Sequence, residues 1–316
     1  MRVLCLTNMY PTDDDPVAGC FVRELVEDVR ALGIEVEVLA FDGRQRKRAY
    51  VEAGRAFRRA LVDGSFDLVH AHYGLTGVLA VGQRRVPTVV TFHGSDTGNP
   101  RVRWQARLSW FVARLATPIF VSTDGARRLG LPDAAVIPAG VDVELFRPRP
   151  TAEARASLGW PDRGRYVLLP GARANPDKGV HLFEAVINEV RKRVFDVTPI
   201  SLEGFSREHV AAVMNAVDVT LMTSAFEGSP VAIKESLACT TPVVSVPVGD
   251  LPELLAGLPG CAVVPRNPVL LADAVLQALE YGGDPALRQR VERLSRRCAA
   301  ERTLAIYESA LAGATS

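Results

Sequence analysis

Two glutamates, Glu227 and Glu235, bracket the segment Phe226-Glu227-Gly228-Ser229-Pro230-Val231-Ala232-Ile233-Lys234-Glu235. A serine followed by a proline reads as the start of a helix, with Ser229 as its N-cap and Pro230 as its first residue. The amides from Gly228 to Val231 then project from a helix N-terminus, where the dipole favours an anion or an electron-rich oxygen. Glu227 falls in the loop before that helix and Glu235 about two turns along it. Carboxylates so placed can each accept hydrogen bonds from the hydroxyls of a polyol. The bland alternative is a well-capped surface helix carrying solvated glutamates.

A second segment, Gly171-Ala172-Arg173-Ala174-Asn175-Pro176-Asp177-Lys178-Gly179, is rich in turn formers. Arg173 brings a planar fork and Lys178 a point charge, a pair suited to a diphosphate. Alone, it reads more readily as an exposed loop with two solvated cations. Each segment follows a predicted strand, so both fall on one edge of one sheet. Together they have the makings of a diphosphate clamp beside a polyol pocket.

The elements that hold these loops alternate along the whole chain. Short apolar runs are predicted as strands at residues 2–7, 36–39, 67–70, 88–92, 119–122 and 135–137, with amphipathic stretches between most of them. After Pro148 and Pro150 the pattern restarts at 166–170 and continues with strands near 198–202, 219–222, 243–246 and 262–264. Such alternation predicts βαβ units and mainly parallel sheets, in two α/β halves. Ligands of such sheets lie beyond the carboxyl ends of the strands. The final stretch, 296–311, is predicted to be a helix packing on the first half through Ala300, Leu304, Ile306 and Tyr307.

Composition narrows the function classes. The chain has 316 residues, room for two ordinary cores, and its 37 basic residues against 36 acidic leave a net charge of +1. That balance argues against nucleic-acid binding, which needs a clear cationic excess. The cysteines, Cys5, Cys20, Cys239, Cys261 and Cys298, are odd in number and contain no C-x-x-C pair, so neither a disulfide framework nor a zinc site is expected. Neither a signal peptide nor a membrane-spanning run is expected. Asp13-Asp14-Asp15 reads as a solvated loop before a helix, and no metal site is assigned. The basic run from Arg44 to Arg59 could meet anionic lipid headgroups or a phosphate-bearing acceptor, or form a solvated helix face.

With these residues set out, the chain resembles the retaining glycosyltransferases of family four, which have the GT-B fold, and among them bacterial cell-surface polysaccharide glycosyltransferases. Ile137-Pro138-Ala139-Gly140-Val141-Asp142 with Phe146-Arg147-Pro148 is similar to the family's interdomain signature. Glu227 and Glu235 match its E-x7-E pair, and Arg173 and Lys178 its phosphate-binding Arg and Lys. Phe92-His93-Gly94-Ser95-Asp96 resembles its histidine-containing loop, and Ala18-Gly19 its glycine turn. Thr240 to Val244 and Val248 to Glu253 look like the segment after the glutamates. The resemblance covers nearly the whole chain.

The resemblance implies two Rossmann-like domains with parallel sheets facing across a cleft. Residues 1–147, completed by 296–316, would be the acceptor side, and 148–295 the donor domain. The implied reaction moves a sugar from a nucleoside-diphosphate sugar, UDP-linked or else GDP-linked, to a hydroxyl of a glycan or glycolipid, with retention and without metal or cofactor. Arg173 and Lys178 would neutralise the diphosphate, Glu235 would bind the ribose, and Glu227 with Gly228, Ser229, Pro230 and Val231 the donor sugar. Gly19 would admit the leaving phosphate, and His93 would approach the transferring sugar. His72 and Asp96 would lie on the acceptor side, and Glu203, Gly204 and Phe205 at the nucleotide base. The expected place of action is the cytoplasm, with peripheral membrane contact through Arg44 to Arg59. Three features depart from the family pattern: Val231 where asparagine is frequent, Ala18 for the first of two glycines, and a short stretch between Lys178 and Val219. An epimerase or hydrolase of the same architecture, or a non-catalytic sugar-nucleotide binding subunit, is the alternative. A nicotinamide oxidoreductase is disfavoured, because Asn8-Met9-Tyr10-Pro11 follows the first strand in place of G-x-G-x-x-G.

Overall fold

The computed structural model describes residues 1–12, 19–43, 48–98 and 103–314. The chain forms two compact units, Met1–Gly140 with Arg296–Ser316, and Val141–Ser295. The acidic triplet at 13–15, Ala18 and the start of the basic run at 44–47 lie outside the described residues.

In the first unit the chain runs through β1 (Arg2–Thr7), α1 (Cys20–Ala31), β2 (Glu35–Ala40), α2 (Ala49–Asp63), β3 (Leu68–His72), α3 (Gly74–Val81) and β4 (Thr88–Phe92). It continues through α4 (Ser95–Gly98), α5 (Arg103–Leu115), β5 (Thr117–Phe120), α6 (Thr123–Arg128) and β6 (Ala135–Val136). The strands pair in parallel in the order β2-β1-β3-β4-β5-β6. Because side chains alternate along a strand, β1 sends Leu4 and Leu6 into one core and Val3 and Cys5 into another. The first core is roofed by α2, α3 and α5 through Phe57, Leu61, Ala80, Val112 and Ala113. The second is roofed by Val22, Val26 and Val29 of α1 and by the C-terminal helix (Arg296–Ala314) through Ala299, Ala300 and Tyr307. Leu304 and Ile306 pack against it half-buried. Arg296 fixes the start of that helix to α1 by two contacts of 2.8 Å with the Asp28 carboxylate.

The second unit comprises α7 (Thr151–Ser157), β7 (Arg165–Leu169), α8 (Val180–Arg191), β8 (Val197–Ser201), α9 (Arg207–Ala216), β9 (Val219–Met222) and α10 (Val231–Ala238). After these come β10 (Val243–Ser245), α11 (Leu251–Leu254), β11 (Ala262–Val263), α12 (Pro268–Tyr281) and α13 (Pro285–Glu292). Its parallel sheet has the order β11-β10-β9-β7-β8. The residues just before the prolines belong here: Val141 and Phe146 are fully buried in this unit's core. Phe146 and Val143 also give their carbonyls to Arg288 of α13.

Both sheets reverse direction once. In the first, β1 stands between β2 and β3; in the second, β7 stands between β8 and β9. At such a reversal the loops leaving two adjacent strands splay apart, and ligands of open α/β sheets bind there.

Candidate functional site

In the second unit the loops leaving β7, β8 and β9 are tied together at the reversal. Gly179 adopts φ +66, and a Cβ there would lie 2.1 Å from the Thr223 carbonyl oxygen, so only glycine lets the two loops touch. Thr223 Oγ1 donates to the Lys178 carbonyl at 2.8 Å, and the Ala225 amide to Asp177 at 2.8 Å. Asn175 caps the short turn Pro176–Lys178 by accepting from the Asp177 amide. Leu202 beyond β8 donates to Gly171 at 3.2 Å.

That clamping brings Lys178 to Glu227, with Nζ 2.8 Å from Oε1 and both side chains four-fifths buried. Arg173 is held differently. Its backbone amide donates to Glu203, and its guanidinium pairs at 2.9 Å with Glu184 of α8. Arg173 and Glu203, read from sequence as phosphate and base contacts, therefore share one corner of the site. Gly204 is exposed and Phe205 half-buried beside His209.

Glu235 is almost wholly buried, and its Oε1 lies 2.7 Å from Arg207 at the start of α9. The guanidinium in turn sits 4.9 Å from the centre of the Phe146 ring. Sequence reasoning missed Arg207, because it lies between segments that carry motifs. Lys234 was missed too. It is fully buried, and burial lowers its ammonium to about 8 while Asp250 and Glu235 oppose that shift. The signal was there: a lysine in the middle of a short helix, in a chain that has only four.

The helix start differs from expectation. Pro230 is the N-cap of α10, which begins at Val231, and no side chain caps it. The Ser229 hydroxyl is engaged instead by the Asp250 carboxylate, whose own amide donates to the Gly228 carbonyl at 3.1 Å. Gly249, at φ +57, lets that turn press on Gly228, where a Cβ would meet the carbonyl oxygen at 2.4 Å. Burial raises the Asp250 carboxyl, with Lys234 and the Ser229 bond opposing. The loop from Glu227 to Pro230 is thus braced from behind by Asp250.

In the first unit the strand ends carry histidines on the face covered by α1 and the C-terminal helix. His70 Nδ1 and the Tyr307 hydroxyl are 2.7 Å apart, and His70 Nε2 and Thr91 Oγ1 2.8 Å, so His70 locks the C-terminal helix to the sheet. His72 Nδ1 lies 3.1 Å from His93 Nε2, whose ring packs on Phe21. His72 Nε2 is buried and has no hydrogen-bond partner among the described residues. Burial pushes all three imidazoles below their ordinary range, His70 to about 3. His72 and His93 line a small pocket with Phe21, Glu24, Ile119 and Thr303.

Asp96 is fully buried, and its carboxylate accepts from the Gly74 amide at 2.9 Å and the Gly94 amide at 3.0 Å. It ties the loop after β3 to the loop after β4, and burial raises it to about 6. Gly19, at φ +67, opens α1, and a Cβ there would lie 2.3 Å from the Met9 carbonyl carbon. Its close approach is therefore to the loop after β1. Among the described residues no group of three His, Cys, Asp or Glu is placed to hold a metal ion, and no helix is long and apolar enough to cross a membrane.

Known proteins resemble the chain along most of its length. A family model described as Glycosyltransferase Family 4 matches residues 18–145, and one described as Glycosyl transferases group 1 matches residues 184–281. D-inositol 3-phosphate glycosyltransferase of Mycobacterium leprae is 30% identical over 273 residues, 71% of this chain and 63% of the relative. The chain thus spans less than two thirds of that relative's length. MMP alpha-(1->4)-mannosyltransferase of Mycolicibacterium hassiacum is 28% identical over 298 residues, 79% of this chain and 72% of the relative. The structure of Anabaena HepE in complex with UDP superposes with a TM-score of 0.71 at 17% identity, covering 98% of this chain and 100% of that one.

Proposed function

The chain belongs to glycosyltransferase family 4 and has the GT-B fold, and from that premise we propose that it moves a hexosyl group from a nucleoside-diphosphate sugar to an acceptor hydroxyl, with retention of configuration and without a metal ion. The observation that carries this reading is the gathering of Lys178, Glu227, Arg173 and Glu235 on the clamped loops and adjoining helix at the β7–β9 reversal. UDP is favoured as the nucleotide, in line with the UDP complex of the structural neighbour.

On this reading the diphosphate takes Lys178 from Glu227, and the released carboxylate accepts hydrogen bonds from the donor sugar. As the sugar–phosphate bond breaks, charge grows on the leaving phosphate, where Lys178, Arg173 and the amides of Gly228, Ser229 and Val231 oppose it. The acceptor hydroxyl attacks the face the phosphate leaves, and its proton passes to that phosphate. The protein then works by positioning and electrostatics rather than by a nucleophile. Glu235, held by Arg207, binds the ribose, and Glu203, Gly204 and Phe205 border the base. His72 and Asp96 belong to the acceptor side, and the acceptor is a glycan or glycolipid. Arg55, Arg58 and Arg59 of α2, all exposed, give that side a peripheral membrane contact.

The test pairs a thermal-shift screen over UDP, GDP, ADP and TDP sugars with mass-spectrometric detection of product on a glycan or glycolipid acceptor. A glycosylated product from one donor supports transfer. Release of free sugar or formation of an epimer without acceptor overturns it.

A further inference from the structure

Helix α5 (Arg103–Leu115) turns Ser109, Val112 and Ala113 into the core. Its exposed positions are Arg103, Trp104, Arg107, Trp110, Phe111, Arg114 and Leu115, and none of them is acidic. At about 100° per residue, Arg103, Arg107 and Arg114 fall on one ridge, while Trp104, Phe111 and Leu115 fall on the ridge beside it. Trp104, Phe111 and Leu115 are 55%, 53% and 54% exposed, large apolar groups left in water along the length of one helix. Trp110 flanks the basic ridge, with the Arg114 guanidinium 3.9 Å from its ring centre.

α2 and α3 share with α5 the same core on the same face of the sheet. The outer side of α2 presents Arg55, Arg58 and Arg59 between the exposed Val51 and Val62. With a net charge of only +1 for the whole chain, the cationic surplus here is local. Exposed aromatics beside arginines suit a lipid interface, where the rings enter at headgroup depth and the guanidiniums meet anionic headgroups. An antiparallel two-fold contact of a second copy through this face would set one arginine ridge against another.

We propose that the outer face of α5 docks on a bilayer bearing anionic lipids, with Trp104, Phe111 and Leu115 inserted at the headgroup boundary. This goes beyond the contact assigned to α2 above and is independent of the donor site. The test is flotation of the full chain with phosphatidylcholine vesicles made with and without phosphatidylglycerol, together with tryptophan emission. The expected result is binding to the anionic vesicles only, with a blue shift. Arg103→Glu with Arg107→Glu should weaken it by at least about 25-fold, on about fivefold for each arginine. Trp104→Ser, Phe111→Ser and Leu115→Ser together should abolish the blue shift. Thermal shift with UDP should be unchanged in every variant, showing that the donor unit is intact. Equal binding to neutral vesicles overturns the proposal. So does wild-type vesicle binding by both α5 variants, even when Arg55→Glu, Arg58→Glu and Arg59→Glu together remove it, a result that leaves the α2 contact standing. Self-association lost in the serine variant, without vesicle binding by the wild type, also overturns it.

Discussion

Replacing Glu227 by glutamine keeps the shape of the side chain and removes its charge. Glu227 Oε1 lies 2.8 Å from Lys178 Nζ, with the side chains 18% and 20% exposed. A diphosphate that engages Lys178 must displace or share that contact. A hydrogen bond to a charged group is worth roughly 1.5–3 kcal/mol when made, and partial exposure trims the cost of exchanging it to roughly 1 kcal/mol. Glu227→Gln should therefore bind free UDP about fivefold more tightly than the wild type. Turnover should move the other way. The carboxylate that orients the reacting sugar is lost, and one such contact in the transition state is worth roughly 10- to 150-fold in kcat. Titration calorimetry with UDP and steady-state transfer kinetics read the two effects separately. Unchanged or weaker UDP binding with a normal transfer rate would refute both the ion-pair exchange and the placement of the sugar.

Lys178→Ala should weaken UDP binding by roughly 1.5–3 kcal/mol and uridine binding far less, while Arg173→Ala should do the same more mildly because Glu184 already holds that guanidinium; calorimetry with both ligands checks this. Arg207→Ala leaves the buried Glu235 carboxylate without its ion pair at 2.7 Å, so binding of UDP and uridine should fall together, again by calorimetry. Gly179→Ala forces a Cβ to 2.1 Å from the Thr223 carbonyl at φ +66 and should cost at least about 2 kcal/mol, seen as a lower urea midpoint. Burial holds folded His70 and His93 at about 3, against about 6.5 in the unfolded chain. Between these values the unfolded chain binds more protons, so stability is full above about pH 6.5 and falls as the pH drops. Near pH 5.5 the loss should be about 1.4 kcal/mol for each histidine. Asp96, raised to about 6, opposes with the reverse sign over part of that range, and urea unfolding at the two pH values measures the sum.

The strands and the longer helices were legible because each carries its own period of apolar residues. The strands at 2–7, 88–92 and 219–222, for instance, were read with the bounds the structure has. Helices α4, α6, α7 and α13 were not read. α4 has four residues and α6 six, too few for a 3.6-residue period to repeat. α7 (TAEARAS) has no large apolar residue to mark a stripe. α13 did carry a start signal, Asp284 capping before Pro285 at the first helical position. Ser229 misled the reading of α10, because a serine before a proline is a local cap signal and its actual partner, Asp250, is remote in the chain.

The division follows the range of the forces. The sequence by itself determined the α/β alternation, the two sheets, and the loops that hold Arg173, Lys178, Glu227 and Glu235, since these depend on residues a few positions apart. Only the tertiary structure decided the partners: Lys178 with Glu227, Arg207 with Glu235, Ser229 with Asp250 and His72 with His93. Each of these pairs is made by strand ends, loops or helices from different βα units, and strand order sets which of them meet. Burial, too, is a property of the folded whole. Lys234 and Asp96 are ordinary charges in the sequence; packing shuts water out around both, and Asp96 becomes a tie between two loops.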